Sequence, residues 1–446
     1  MRVLLFHGYM LRGTGSNIYN VNLARALARL GHEVHLLCQD REVEIEGVRI
    51  HNPDIHGLLP VYVKDPYEGF EVKAFPELTE AELDRYIEAN VAAVRAVAES
   101  VGGVDAALAN HLVMGPAILA RAGIGPFAAK IHGSALEYTV KPHPRFLPYA
   151  YEGMEAAAGV LVGSGHTAHS LWAALPDLPN LKDKTRLGPP GVDISAFRPG
   201  SRRTALVVFV GKLIVSKGVD LLIAAWPLVR AAHPQVRLEI AGYGEYENGL
   251  RRLLAALDRG DLDDAREVAR LGWALEGGEE KQLSILTAFL ADPPPGYLEA
   301  ARGVAASIDL IGRLEHDEVA ALLPRAEALV MPSTFPEAFG MVAVEAAACG
   351  ALPVSAGHSG MLEVSRQLAA DLPADAAELT SFAVGPGAVE AIAERLNGWL
   401  ALPEASRQEA REALVATVER LWSWEGVARG VLAASAGELE DLPHPT

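Results

Sequence analysis

The feature that most constrains the fold is a repeated alternation of short apolar segments with helical segments. In the N-terminal half, stretches of helical periodicity separate apolar segments rich in β-forming residues, namely RVLLFHGY, EVHLLCQD, DAALANH, PFAAKIHG and AGVLVGSG. Apolar strands between helices are typical of a parallel sheet that is covered on both faces. The alternation restarts at ALVVFVGK, residues 205–212, so the sequence predicts two doubly wound α/β domains.

A stretch at 191–203 that contains Pro, Gly and Arg interrupts this periodicity and indicates a linker. We therefore place an N-terminal Rossmann-like domain at 1–198 and a C-terminal Rossmann-like domain at 203–425. Ligands of doubly wound sheets bind beyond the carboxyl ends of the strands, and a cleft between two domains is the default site. The expected fold class is therefore α/β, with two doubly wound parallel-sheet domains facing a central cleft.

Two segments do not fit the alternation. Residues 250–305 combine helical spacing with mixed charge, which predicts a helical insertion with a solvated face or an oligomer contact and no role in chemistry. Residues 51–72, HNPDIHGLLPVYVKDPYEGFEV, are predicted to form a long loop, and such loops often carry function.

Composition narrows the cellular setting. No run approaches the roughly 20 apolar residues that a membrane span requires, and the N-terminus lacks the longer apolar stretch of a signal peptide. The two cysteines, Cys38 and Cys349, form neither a disulfide framework nor a zinc site, which favours a cytoplasmic protein. A net charge of −18 disfavours non-specific binding to nucleic acid or anionic lipid.

The most informative segment is VMPSTFPEAFGMVAVEAAACGALPV, residues 330–354. Its apolar strand leads into a loop that carries Glu337, and a helix is predicted to begin near Gly340. A helix start offers unpaired N–H groups and a positive dipole end, which suit a phosphate. Glu345 lies inside this helix, so the two carboxylates can accept hydrogen bonds from hydroxyls at two ends of one elongated ligand.

A second loop supplies positive charge. In FVGKLIVSKGVDLL, residues 209–222, the strand ends at Gly211, and Lys212 and Lys217 follow before a helix. One loop lysine is usually solvated, but two ammonium groups at the carboxyl end of a strand can neutralise a diphosphate.

A third stretch, GYMLRGTGSNIYNVNLARAL at 8–27, places a glycine turn between a strand and a helix. This order predicts a phosphate at the helix start. Asp40 ends the second strand, where a dinucleotide enzyme holds a ribose, so an NAD-dependent oxidoreductase is a distant alternative. Against it, Ile18 stands where the third glycine of the dinucleotide motif is needed, and no hydride-transfer residues are found.

These motifs together resemble the retaining glycosyltransferases of family 4, which have the GT-B fold. That family carries two glutamates separated by seven residues, matched here by Glu337 and Glu345, and a basic loop matched by Lys212 and Lys217. Further matches follow the order of the family along almost the whole chain; they are LGHEVHLL, IHGS, GVDISAFRP, IAGYGEYENGL, LIGRLEHDEV and WSWEGVA.

For the second domain, the resemblance implies a nucleotide-sugar site. Lys212 and Lys217 would contact the diphosphate, and Glu345 would contact the ribose hydroxyls. The donor sugar and phosphate would be held by Glu337 and by the backbone of Phe339, Gly340 and Met341. The base would contact the backbone near Arg313 and Leu314.

For the first domain, the resemblance implies acceptor binding. His132 would face the donor sugar, although a packed histidine at a strand end is the ordinary interpretation of such a residue. Gly15 would lie nearest the donor phosphates, and His111 is a further candidate for lining the site. A C-terminal helix at about 426–440 would return to this domain.

The implied reaction transfers a hexosyl group from a nucleoside-diphosphate sugar to a hydroxyl acceptor with retention, catalysed by His132, Lys212, Lys217 and Glu337, without a metal or cofactor. DLDD at 261–264 matches a metal motif of another glycosyltransferase fold but lies away from the predicted phosphate loops. A nucleotide-sugar hydrolase or epimerase and a non-catalytic sensor are the alternatives. The acceptor is a small molecule, a glycan or a lipid-linked compound, and membrane contact and homo-oligomerisation stay open.

Overall fold

The computed structural model describes residues 1–13, 15–64, 67–200 and 203–445. It divides into two compact units, of which the first contains the chain up to Gly191 together with the segment from Trp422 onward, and the second contains Val192–Leu421. The boundaries that we expected from the sequence were 198 and 425. Among the described residues, no helix combines the length and the apolarity that crossing a bilayer requires.

The first unit contains a large parallel sheet with helices on both faces. Its strands are β1 (Arg2–Phe6), β2 (Glu33–Leu37), β3 (Val48–His51), β4 (Leu58–Val61), β5 (Glu71–Ala74), β6 (Ala106–Asn110), β7 (Phe127–Ile131), β8 (Gly159–Val162) and β9 (Thr185–Leu187). Its first helices are α1 (Gly15–Arg29), α2 (Glu80–Ser100), α3 (Gly115–Ala122), α4 (Leu147–Ala156) and α5 (Gly165–Ala174). Seven strands form the sheet, in the order β3-β2-β1-β6-β7-β8-β9.

The second unit repeats this architecture. Its strands are β10 (Leu206–Val210), β11 (Arg237–Ala241), β12 (Ile308–Gly312), β13 (Ala328–Met331), β14 (Leu352–Ala356) and β15 (Ser381–Phe382), in the sheet order β12-β11-β10-β13-β14-β15. Its helices are α6 (Val219–Ala232), α7 (Glu247–Arg259), α8 (Leu262–Leu271), α9 (Ser284–Ala291), α10 (Tyr297–Ala301), α11 (His316–Leu322), α12 (Met341–Ala348), α13 (Ser359–Ala369), α14 (Ala374–Ala377), α15 (Ala388–Ala401) and α16 (Glu404–Leu421). A last helix, α17 (Trp424–Ala436), belongs to the first unit.

The alternation of side chains along β1 explains the two cores of the first unit. Leu4 and Phe6 belong to one apolar cluster, which α2, α3 and α4 complete. Val3 and Leu5 point to the opposite face and join a second cluster with residues of α1 and α17. Because both faces are covered, the strands are apolar throughout, as the sequence predicts. Cys38 and Cys349 are buried free thiols.

Helix α2 shows how a local sequence signal sets an element boundary. The Thr79 hydroxyl accepts a hydrogen bond from the Glu82 N–H at 3.3 Å, and the Glu82 carboxylate accepts one from the Thr79 N–H at 2.9 Å. These reciprocal bonds satisfy two N–H groups that the helix leaves without partners.

The prediction of a long loop at 51–72 is wrong. Strands β4 and β5 pair in parallel, from Leu58 opposite Glu71 to Val61 opposite Ala74, and form a small separate sheet. Leu59 and Val61 are buried in the core of the first unit. The short strands were missed because Pro60 and several glycines interrupt the pattern in the sequence.

The segment that we expected as a solvated insertion, 250–305, packs closely against α6. Phe289 and Leu290 of α9 are buried, and the Tyr297 hydroxyl donates to the Ala224 carbonyl of α6 at 2.8 Å. Its outer face carries ion pairs, including the one between Arg252 and Asp264 at 2.7 Å. The expectation of a solvated excursion therefore describes only the outer face.

Candidate active site

The two predicted lysines lie on the loop that follows β10. The loop contains a 3₁₀ turn, Val215–Lys217, and then Gly218, from which α6 begins. Gly218 has φ +65°, and a Cβ there would lie 2.1 Å from the Pro332 carbonyl oxygen. Only glycine fits such a position without strain. The close approach fixes the lysine loop against the loop after β13.

Lys217 and Glu337 form an ion pair through Nζ and Oε1. The Ser333 hydroxyl also donates to Glu337 Oε1 at 2.9 Å. Both charged side chains are about three-quarters buried, with exposed fractions of 26% and 23%. The structure thus brings together a cation from the predicted lysine loop and a carboxylate from the predicted Glu337 loop.

Hydrogen bonds with His358 and Ser359, which the sequence interpretation missed, fix the Glu337 loop. The Glu337 N–H donates to the Ser359 hydroxyl at 2.9 Å, and the Ser359 hydroxyl donates to His358 Nδ1 at 3.1 Å. His358 Nε2 in turn donates to the Ser333 carbonyl at 2.8 Å. The only sequence signal is a Gly- and Ser-containing stretch, GHSG, after an apolar strand.

Helix α12 begins as predicted, beside the Glu337 loop. Gly340 precedes it with φ +100°, in the left-handed region, and Phe339 is buried at 7% exposure. Met341 opens the helix. The Ala343 N–H donates to the Gly340 carbonyl at 3.1 Å, so the N–H groups of Met341 and Val342 are the ones that the helix itself leaves without a partner. This geometry leaves donors and a positive dipole end next to Glu337.

Glu345 lies inside α12 and is almost fully buried. His316 Nε2, at the start of α11, donates to Glu345 Oε1 at 3.0 Å. Histidine at this position was not singled out from the sequence, although it stands in the LIGRLEHDEV motif. The bond orients a carboxylate that would otherwise be costly to bury.

The ring of Tyr243 lies beside two other predicted site residues, Lys212 and Arg313. Lys212 Nζ lies 5.9 Å from the centre of this ring, and the Arg313 guanidinium lies 5.1 Å from that centre. Both distances suit cation–π attraction. Arg313 also donates to Glu315 at 3.0 Å, and Leu314 is partly buried.

In the first unit, His132 belongs to a buried polar network at the carboxyl ends of β6 and β7. Asn110 Nδ2 donates to the Phe6 carbonyl at 3.0 Å and to Asn20 Oδ1 at 2.8 Å, which turns Asn110 Oδ1 toward the histidine. His132 Nε2 therefore donates to Asn110 Oδ1 at 2.8 Å. Burial lowers the pKa of His132 well below its ordinary value, and the neighbouring His111 adds to the shift. His132 is thus a neutral imidazole with an accepting Nδ1.

Asp40, the residue that a dinucleotide enzyme would use to hold a ribose, is bonded here to residues of the turn after β1. Asp40 Oδ2 accepts from the Leu11 N–H at 3.3 Å and from Arg12 Nε at 3.1 Å. Its other oxygen accepts from the Glu42 N–H at 3.2 Å. Gly15 is exposed and is the first residue of α1.

The acidic stretch 261–264 is occupied by structural contacts. Asp261 caps α8 by accepting from the Asp264 N–H at 3.0 Å. Asp264 pairs with Arg252 and Arg259, and Asp263 pairs with Arg266. These carboxylates therefore bond to arginines and to the start of a helix.

Family comparisons match most of the chain. A model described as "Glycosyltransferase Family 4" matches residues 13–196, and one described as "Glycosyl transferases group 1" matches 195–261 and 297–415. The chain belongs to the group 1, family 4 glycosyltransferases. Residues 262–296 lie between the two matched stretches of the group 1 model, so the insertion is shorter than the segment expected from the sequence.

Several glycosyltransferases resemble the chain in sequence. Glycogen synthase of Mycobacterium tuberculosis is 30% identical over 267 residues, which are 57% of this chain and 50% of that protein. A D-inositol 3-phosphate glycosyltransferase from Jonesia denitrificans is 26% identical over 383 residues, 78% of this chain and 76% of that protein. The chain spans about half the length of several of these relatives, including the enzyme of Segniliparus rotundus, at 53%.

Solved structures share the fold at low sequence identity. Sucrose-phosphate synthase from Thermosynechococcus elongatus has a TM-score of 0.62 at 20% identity, over 96% of this chain and 97% of that one. HepE from Anabaena, solved with UDP and glucose, has a TM-score of 0.60 at 14% identity, over 97% and 98% of the two chains. The predicted fold class, α/β with two Rossmann-like parallel sheets of the GT-B type, is confirmed.

Proposed function

We propose that the protein is a retaining, metal-independent glycosyltransferase that moves a hexosyl group from a nucleoside-diphosphate sugar to a hydroxyl acceptor. The observation that carries the proposal is the Lys217–Glu337 ion pair beside the start of α12. The pair and the helix start together offer a cation for phosphate, a carboxylate for sugar hydroxyls and the N–H groups of Met341 and Val342. A nucleotide sugar requires all three kinds of contact.

Charge stabilisation is the main catalytic contribution in this proposal. As the bond from the sugar C1 to the diphosphate breaks, negative charge grows on the departing phosphate. Lys212, Lys217 and the N–H groups of Met341 and Val342 at the start of α12 would stabilise that charge electrostatically. Because these groups supply the positive charge, the route does not require a divalent cation.

Retention follows when the acceptor attacks the face of C1 that the phosphate leaves. The acceptor oxygen forms the new bond to C1, and its proton passes to an oxygen of the departing diphosphate. No side chain then acts as a nucleophile. Glu337 would bind hydroxyls of the transferred sugar and orient its ring for this attack.

The other predicted contacts keep their roles in the proposal. Glu345, oriented by His316, would accept hydrogen bonds from the ribose, and the backbone near Arg313 and Leu314 would contact the base. The backbone of Phe339, Gly340 and Met341 would bind sugar and phosphate. In the first unit, Nδ1 of the neutral His132 would accept a hydrogen bond from a sugar hydroxyl, and Gly15 would offer its N–H to a phosphate.

The names of the relatives support a hydroxyl compound as acceptor. Glycogen synthase and D-inositol 3-phosphate glycosyltransferase are named for a glucan and for a polyol phosphate. Both offer secondary or primary hydroxyls to a donor sugar. We therefore propose a glycan or a polyol as the acceptor class.

Thermal unfolding in the presence of candidate donors tests the function. Purified protein is heated with UDP-glucose, GDP-mannose, ADP-glucose or NAD, each with and without EDTA. We expect one nucleotide sugar to raise the Tm whether or not EDTA is present. Stabilisation by NAD alone, or by none of the four compounds, contradicts the proposed donor site.

Product analysis tests the chemistry. With the stabilising donor and a mixture of glucans and inositol phosphates, proton NMR should show a new glycoside with the anomeric configuration of the donor. Release of free sugar in place of a glycoside would indicate hydrolysis. An inverted anomeric configuration would contradict retention.

A further inference from the structure

The insertion 262–296 reaches the lysine loop through one side chain. Val215 begins the 3₁₀ turn that ends at Lys217, and the first N–H groups of a helical turn have no partner within it. Glu276 Oε2 accepts a hydrogen bond from the Val215 N–H at 2.7 Å. Glu276 lies in the part of the chain that the group 1 family model does not match.

This bond satisfies a backbone group that the local fold leaves without a partner. Val215 is only 3% exposed, and a buried N–H that lacks an acceptor destabilises the conformation that buries it. A carboxylate is a stronger acceptor for an N–H than a neutral oxygen. Glu276 is itself partly buried, and this burial raises the pKa of its carboxyl group, with nearby Glu245 acting in the same direction.

The fold of the insertion holds Glu276 in place. Glu276 ends a 3₁₀ turn, Trp273–Glu276, that lies between α8 and α9. The Trp273 N–H donates to the Lys281 carbonyl at 3.0 Å, and the Gly278 N–H donates to the Trp273 carbonyl at 3.0 Å. These bonds close the turn into a compact loop, and α8 and α9 anchor it to the rest of the unit.

Glu276 is one of several supports of the lysine loop, besides the Gly218 contact and the Lys217–Glu337 ion pair. On one side, the Leu213 N–H donates to the Tyr243 carbonyl at 2.8 Å. On the other side, the Thr334 N–H donates to the Ser216 carbonyl at 2.9 Å. The bond to Val215 lies between these two supports and between the two lysines, so its loss would free the middle of the loop.

We propose that Glu276 is a positioning residue that fixes the 212–217 loop, so that Lys212 and Lys217 are presented together to the diphosphate of the donor. This role deepens the proposed function and rests on it. It also assigns a purpose to the insertion, which supplies a support for the donor loop from outside the sequence that the family model matches.

Hydrogen exchange tests the bond itself and does not depend on any ligand. The exchange of peptides covering 212–218 is followed in the unmutated protein and in Glu276→Ala, Glu276→Gln and Glu279→Ala. Glu279 is exposed in the same insertion and is the matched control. We expect faster exchange of Val215 only in Glu276→Ala, because the glutamine amide keeps an accepting oxygen. Equal exchange in all four proteins overturns the proposed bond.

Nucleotide binding tests the consequence for the site. UDP, GDP and ADP are titrated calorimetrically into the same four proteins. For the nucleotide that binds the unmutated protein, we expect Glu276→Ala to raise the Kd about tenfold, since the loss of a charge-assisted hydrogen bond has about this effect. We expect Glu276→Gln to recover most of the affinity and Glu279→Ala to leave it unchanged.

The two experiments separate the possible failures. Faster exchange in Glu276→Ala with an unchanged Kd overturns the positioning role while leaving the proposed function in place. A loss of affinity in Glu279→Ala equal to that in Glu276→Ala assigns the effect to the insertion as a whole and also overturns the role of Glu276. If none of the three nucleotides binds the unmutated protein, the proposed function fails, and the positioning role fails with it.

Discussion

Lys217 and Glu337 form an ion pair across 120 residues of sequence, between the loop after β10 and the loop after β13. About a quarter of each side chain stays exposed, so a ligand can reach both charged groups. We infer that each partner exchanges the other for a group of the donor, the ammonium for phosphate and the carboxylate for sugar hydroxyls.

Removing the ammonium group should slow the reaction far more than it affects the fold. We expect Lys217→Ala to lower kcat by about 10²–10³, the usual effect of losing one preorganised charge-stabilising donor. The measurement is steady-state transfer with the donor identified by thermal unfolding. Lys182→Ala is the control, because Lys182 is exposed in the first unit, beside Trp172. A kcat for Lys217→Ala equal to that of this control would contradict the assignment.

Glu345 and His316 should affect donor binding more than the chemical step. The Glu345 side chain is only 6% exposed and is oriented by His316 at 3.0 Å. In the proposed site it contacts the ribose, which does not change during transfer. We therefore expect Glu345→Gln and His316→Ala each to raise the donor KM about tenfold while kcat changes less than threefold, in line with lost uniform binding.

A glutamate on the surface of the same unit provides the control for this experiment. Glu394 is exposed on α15, so Glu394→Gln should leave both kinetic constants unchanged. If kcat fell as strongly as kcat/KM in Glu345→Gln, the carboxylate would act in the transition state and the ribose assignment would be wrong.

The sequence predicts those parts of the site that depend on neighbours along the chain. Strands, helix starts and the two charged loops follow from apolar runs, glycines and local charge, and the lysine and glutamate loops are indeed brought together. The residues that contact these loops from distant parts of the chain were not predicted. His316 contacts Glu345 across 29 residues, and Glu276 contacts Val215 across 61. Such contacts depend on tertiary packing, which leaves no periodic signal in one sequence.

The insertion shows the same limit at a larger scale. Mixed charge at helical spacing predicts a solvated helix, and the outer face of α8 agrees with this. The inner contacts of the insertion, such as the one between Tyr297 and α6, depend on which face of each helix meets α6. Only tertiary packing decides this. The prediction for 51–72 was wrong for a related reason, because two short strands stabilise each other only once they are paired.

Gly218 should be intolerant of any side chain. With φ +65° and a Cβ position 2.1 Å from the Pro332 oxygen, alanine requires both a strained backbone and a shift of the loop after β13. We expect Gly218→Ala to lower the free energy of unfolding by about 1–3 kcal/mol and to weaken donor binding. Denaturant titration measures the first effect and calorimetric titration the second. Gly385→Ala is the matched control, because its Cβ would meet open space.

Acid should destabilise the first unit through its buried histidines. His7 is 1% exposed, and burial lowers its pKa from 6.5 to about 4. Its Nε2 donates to Asn17 at 2.9 Å, and its Nδ1 accepts from Asn20 at 3.1 Å, so the folded network requires the neutral ring. Burial lowers the pKa of His111 and of His132 in the same direction.

The sign of the pH effect follows from these shifts. Between the unfolded pKa near 6.5 and the folded pKa near 4, the unfolded chain binds more protons, so the free energy of unfolding falls as the pH falls. His7 alone should contribute about 3 kcal/mol over that interval. In denaturant titrations from pH 7 to pH 4, His7→Gln should lose this part of the pH dependence, while the exposed His56→Gln should keep it. An unchanged slope in His7→Gln would contradict a neutral, buried His7.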